Sequence, residues 1–92
     1  MLGYIECECI IYDAQSLKEK RAVLQKVMKR AQNKFNVSVA EIDHQNVWQR
    51  TKLGIACISS SRKVTEKELD EVLKLIDSFP ELERTVTTFD WV

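Results

Sequence analysis

Ninety-two residues suffice for one hydrophobic core and not two, and 45% hydrophobic with 30% charged residues is ordinary globular composition. No apolar run approaches the roughly 20 residues of a membrane span, and three cysteines without a scaffold pattern exclude a disulfide-stapled secreted fold. Formal net charge is zero, which argues against a chain dedicated wholly to nucleic acid.

Residues 2–12 alternate, with Ile5, Cys7, Cys9 and Ile11 on one side and Tyr4, Glu6 and Glu8 on the other, so a half-buried strand is predicted. Met1 leads almost directly into that strand, and no secretory signal is expected. After Asp13-Ala14-Gln15, Ser16 followed by Glu19 forms a capping box and opens a helix to Phe35. On a helical wheel Leu17, Leu24, Val27, Met28, Ala31 and Phe35 share a stripe. Lys18, Lys26, Lys29 and Arg30 point outward, while Lys20 and Arg21 flank the stripe in the first turn. Positive charge there opposes the helix dipole. Those two cations therefore either snorkel over the core edge or meet an acidic partner.

Residues 37–43 read as a second strand whose facing is ambiguous, because Val37 and Val39 compete with Ala40 and Ile42. A polar turn follows, and Trp48–Ser59 reads as a third strand in which small Gly54 and Ala56 would admit a close helix. Thr65 with Glu68 forms a second capping box, and the helix it opens carries Leu69, Val72, Leu73, Ile76 and Phe79 on one stripe up to Pro80. Residues 82–92, rich in Thr, Val and aromatics, make a last strand. This order implies an α+β, ferredoxin-like β-α-β-β-α-β sandwich: a four-stranded antiparallel sheet with two helices on one face, as a single domain over 1–92. The opposite sheet face is expected to lie open and to invite self-association, with Phe89 and Trp91 as anchors.

Charge is distributed unevenly along the chain. Residues 16–36 hold seven Lys/Arg against one Glu, a net of +6, whereas residues 65–83 hold seven Asp/Glu against two Lys, a net of −5. The basic helix could face an acidic neighbour, another subunit or an anionic partner. Catalytic and metal readings are weaker. Cys7 and Cys9 share a strand face but lack the two-residue knuckle of structural zinc sites, and they are assigned to the core with Cys57. No metal or cofactor is expected. His44 sits in a turn beside Asp43 with no nucleophile placed to complete an acid–base pair. Glu41 either faces water or pairs with Lys20 or Arg21, and Trp48 is assigned to the core edge or to a stacking role. Two glycines, Gly3 and Gly54, leave no phosphate-binding loop.

SLKEKR at residues 16–21, FNVSVAEI at 35–42, a Gln in the next turn, WQR at 48–50 and LGIA at 53–56 resemble the YlxP-like family of small bacterial proteins of unknown function. The resemblance covers essentially the whole chain. It implies a ferredoxin-like fold and, because members are often encoded near translation-initiation and ribosome-maturation genes, a translation-linked role. It directs attention to Ser16, Lys18, Lys20, Arg21, Glu41, Gln45, Trp48 and Gln49. The expectation is a cytoplasmic, non-enzymatic protein that docks on ribosomal RNA or a ribosome-maturation complex. Lys18, Lys20, Arg21, Lys26, Lys29 and Arg30 would make the contact, with Glu41, His44, Gln45, Trp48 and Gln49 as a further candidate site. The alternative is a homo-oligomeric structural or regulatory protein, a homodimer for one, that could bind a small ligand, and the third reading is a small enzyme or metal protein built on His44, Glu41 and the cysteines.

Overall fold

In the computed structural model, which describes residues 1–92, six elements follow the predicted order. They are β1 (Leu2–Ile10), α1 (Leu17–Lys34), β2 (Ser38–Asp43), β3 (Arg50–Ile58), α2 (Arg62–Asp77) and β4 (Glu83–Trp91). The strands form one sheet in the order β2-β3-β1-β4, and every neighbouring pair is antiparallel. The β1–α1–β2 connection therefore crosses over β3, and β3–α2–β4 crosses over β1. This is the predicted α+β split βαβ arrangement with one sheet face left open.

The period-2 pattern sends Ile5, Cys7 and Cys9 of β1 and Leu53, Ile55 and Cys57 of β3 into the core. There they meet Leu24, Val27 and Ala31 of α1 and Leu69, Val72 and Ile76 of α2 in one cluster of 17 buried apolar residues. Ser16 caps α1 by accepting from the Glu19 N–H at 3.1 Å. The Glu19 carboxylate reaches back to the Gln15 N–H at 2.6 Å, one residue before the cap.

Four sequence expectations need correction. α2 begins four residues earlier than the Thr65 box implies, with Ser61 as its N-cap, and Thr65 is instead a buried residue hydrogen-bonded to Ser59. Trp48 lies outside β3 in the preceding turn and is 51% exposed, not packed at a core edge. Gly54 faces the open side of the sheet, where an added Cβ would meet the Tyr4 hydroxyl and Ile42, so it admits no helix. Gly3 plays that part, since an added Cβ there would lie 2.8 Å from Thr65 Cγ2 and 2.9 Å from Leu69 Cδ1 on α2. Last, Trp91 pairs with Gly3, and Phe89 with core-facing Ile5, so both aromatics stand on the helix side and cannot anchor the open face. The facing of β2 is also resolved: Val39 pairs with core-facing Ile55, and Ala40 with Gly54 on the open side.

Candidate functional site

Lys20 occupies the core stripe of α1 and is fully buried. Its Nζ lies 2.8 Å from Glu41 Oε2 and donates to the His44 carbonyl oxygen at 2.6 Å. The Thr51 hydroxyl donates to the same Glu41 oxygen at 2.6 Å. A buried ammonium is tolerated only when paired and hydrogen-bonded in this way. Lys20 is thus a tie between α1 and the β2–β3 turn, and it leaves the set of cations that a polyanion could reach.

The same turn is fixed from two further sides. His44 adopts a left-handed φ of 62°, its N–H donates to Asp43 Oδ1 at 2.8 Å, and its Nε2 lies 3.1 Å from Glu8 Oε1 on β1. Arg50 Nη2 is 3.2 Å from that same carboxylate oxygen. The hydrogen bond from His44, reinforced by the Arg50 charge, holds Glu8 below the usual carboxylate range. Gln49 Nε2 donates to the carbonyls of Tyr12 and Ala14 at 3.2 Å each, and the Ile11 N–H donates to the Gln49 carbonyl at 2.9 Å. The β2–β3 turn, the β1–α1 loop and the first turn of α1 therefore make one braced end of the molecule. Gln45 and Trp48 are exposed on it.

Along the outer side of α1, Lys18, Arg21 and Lys29 are exposed and have no ion-pair partner. Lys26 pairs with Glu81, and Arg30 stacks over the Phe79 ring at 5.5 Å. Sequence reasoning did not single out Lys34, which lines a groove of about 500 Å³ between the helices with Phe35, Val64, Lys67, Glu68 and Glu71. It also passed over Tyr12 and Glu8. The strand pattern marks Glu8 as facing away from the core, yet nothing in that pattern tells that the turn folds back to meet it.

The open sheet face is largely self-neutralised. Lys52 pairs with Glu6 at 3.2 Å, the Tyr4 hydroxyl donates to Glu6 at 3.1 Å, and Arg50 and His44 share Glu8. The thiols do not converge as a trio, because Cys57 stands opposite Gly3 while Cys7 stands opposite Leu53. All three are buried and free. The hydrogen bond with Cys7 and burial push the Cys9 thiol up, and burial does the same to Cys57. No group of three or more His, Cys, Asp or Glu side chains is arranged to hold a metal ion.

Residues 2–89 match the family described as "Protein of unknown function (DUF503)". The chain belongs to the DUF503 family. It is 66% identical over 91 residues to the "Uncharacterized protein YlxP" of Bacillus subtilis (strain 168), covering 99% of each chain. The blocks that carry the resemblance in the sequence thus fall on the first turns of α1, on β2, on the β2–β3 turn and on β3. In this DUF503 chain, Ser16, Lys20, Glu41 and Gln49 hold that end together, while Lys18, Arg21, Gln45 and Trp48 are displayed on its surface. No helix is long and apolar enough to cross a membrane.

Proposed function

We propose that this DUF503 chain is a non-enzymatic, cytoplasmic binding protein that docks on RNA through the outward face of α1, with ribosomal RNA or a ribosome-maturation complex as the partner class the family resemblance implies. The supporting observation is the contrast in pairing. Lys18, Arg21 and Lys29 are exposed without a carboxylate partner, on a helix whose one acidic residue is Glu19. Arg50, Lys52, Lys74 and Arg84, by contrast, are each ion-paired, and the unpaired Arg62, Lys63 and Lys67 share α2 with five carboxylates. Free cations in a row suit phosphates, whose neutralisation releases condensed counterions and makes binding salt-dependent. Zero net charge makes this attraction local to one helix.

Co-sedimentation with ribosomal subunits from a cell extract, at low and moderate salt, tests the reading. Association with one subunit that weakens as salt rises is expected. Arg21→Glu with Lys29→Glu should weaken it by at least about tenfold and flatten the salt slope by roughly 1.5. Unchanged association in that variant overturns the reading.

A homo-oligomer is the second reading, favoured by the edge strand β4. Its Val86 and Phe89 are 56% and 49% exposed, and it carries no proline or lysine to block pairing. A monomer mass in light scattering at every concentration tried would remove it.

A further inference from the structure

The sheet ends in two edge strands, and the fold treats them differently. β2 is six residues long, carries Glu41 and Asp43, and its Val39 carbonyl already accepts from Gln32 of α1 at 3.1 Å. Short length, charge and a covering side chain are the usual protections of an edge. β4 is nine residues long, and Asp90 is the one charge between Thr85 and Trp91. Its ladder with β1 is regular from Thr87 to Trp91, and the register shifts only nearer the Arg84 end.

The ladder also fixes which backbone groups β4 has left over. The Val92 N–H donates to the Leu2 carbonyl at 2.9 Å, so residues 2 and 92 form a hydrogen-bonded pair. Alternation then makes Tyr4–Asp90 and Glu6–Thr88 hydrogen-bonded pairs too. The N–H and C=O groups of Thr87, Phe89 and Trp91 therefore point away from β1, off the edge of the sheet. No turn, loop or cap bonds to them, and Arg84 reaches the Thr87 hydroxyl, not its backbone. Phe89 stands in the middle of this row, on the helix side, and is 49% exposed.

A second copy of the same strand satisfies that row, and charge selects the register. Opposed residues of an antiparallel pair share a face, so a two-fold axis between two copies passes through one residue position. An axis at Asp90 sets its carboxylate against its own copy, which is unfavourable. An axis at Thr88 carries Asp90 onto Val86, where the ladder with β1 shifts. An axis at Phe89 opposes Thr87 to Trp91, Thr88 to Asp90 and Phe89 to itself. The outward N–H and C=O groups then bond to one another, and each Asp90 carboxylate faces a Thr88 hydroxyl that donates to it. Two Phe89 rings meet on the helix side. Arg62 lies at the Trp91 end of β4, 4.6 Å from that ring, and Asp77 at the Arg84 end. Antiparallel pairing turns the Arg62 end of one copy toward the Asp77 end of the other.

We infer that β4 pairs with β4 of a second copy, antiparallel about a two-fold axis at Phe89, joining two four-stranded sheets into one. The inference rests on the homo-oligomer reading above and names its surface. It is independent of RNA binding, because α1 packs over β2 at the far edge and stays uncovered.

Sedimentation equilibrium of the full chain, from micromolar to near-millimolar concentration, tests it, and a monomer–dimer equilibrium is expected. Phe89→Lys sets two ammonium groups face to face and should weaken association at least about tenfold, with circular dichroism showing the fold retained. Thr87→Cys, Thr88→Cys, Phe89→Cys and Asp90→Cys, made singly, then read the register under mild oxidation, the three native thiols being buried. Phe89→Cys should give a covalent dimer, because the axis sets its two copies about 5.5 Å apart at Cα, within disulfide reach. The other three should stay monomeric on a non-reducing gel. Should Phe89→Lys lose its fold, the cysteine variants decide alone. A dimer that Phe89→Lys leaves intact and Phe89→Cys does not cross-link overturns this inference and leaves a homo-oligomer built on another surface. Faster cross-linking of Thr88→Cys or Asp90→Cys than of Phe89→Cys overturns it as well. A monomer at every concentration overturns both this inference and the homo-oligomer reading, and leaves the α1 reading standing.

Discussion

At the scale of single residues, Lys20 carries most of the argument. Its ammonium has left water entirely, and Glu41 and the His44 carbonyl stand in for the lost hydration. Lys20→Met would keep the volume and leave a mostly buried carboxylate with Thr51 as its remaining donor. That change should cost about 3 kcal/mol in urea denaturation followed by circular dichroism. Lys20→Met with Glu41→Leu should recover much of the loss, because replacing both partners removes the stranded charge. A cost below about 1 kcal/mol for the single variant would mean that water replaces the ammonium at no great penalty. The pairing of Glu41 with Lys20 was legible in the sequence as one of two options, but its burial was not. A helical wheel gives an angle about the axis, and says nothing of whether a later turn will close over that angle. The same limit hid Tyr12 and Glu8, whose neighbours come from residues more than thirty positions away.

At the scale of elements, periodicity did its work wherever one face was plainly apolar. β1, α1 and the stripe of α2 fall where the pattern puts them, and element order then settles the topology. The failures lie where small or polar residues had to be assigned a face. β2 alternates weakly because Glu41, pointing to the helix side, replaces an apolar core residue with the partner of Lys20. Gly3 is in phase with core-facing Ile5 and Gly54 out of phase with core-facing Leu53 and Ile55, so the alternation itself separates them and the register of β1 on β3 agrees. Their substitutions should diverge. Gly3→Ala drives a Cβ against Thr65 and Leu69, both buried without freedom to yield, and should lose about 1–3 kcal/mol. Gly54→Ala meets the tip of the half-exposed Tyr4 ring, which can swing, and should cost less than Gly3→Ala. Paired thermal melts decide it, and equal losses would show that β3 cannot shift its open-face neighbour.

At the scale of the whole molecule, the charges of α1 oppose its own stability. Lys18 and Arg21, Lys26 and Lys29, and Lys26 and Arg30 are like-charge pairs at helical i, i+3 or i, i+4 spacing, each unfavourable by a few tenths of a kcal/mol. One ion pair, Lys26 with Glu81, joins the helix to the acidic segment, so the +6 and −5 stretches do not neutralise each other by direct contact. A chain selected for stability alone has no use for such an arrangement, which is why the exposed row is read as a partner surface. Lys29→Glu separates the two demands. It removes a repulsion, gives Lys26 an opposite charge three residues on, and should raise the melting temperature by about 2 °C. Wild-type stability should likewise rise as added salt screens the repulsion, and the gain from Lys29→Glu should shrink in the same range. The variant should bind RNA more weakly while melting higher. If Lys29→Glu melts lower than the wild type at low salt, the ammonium has a structural partner and the outward face of α1 loses its claim to be a free surface.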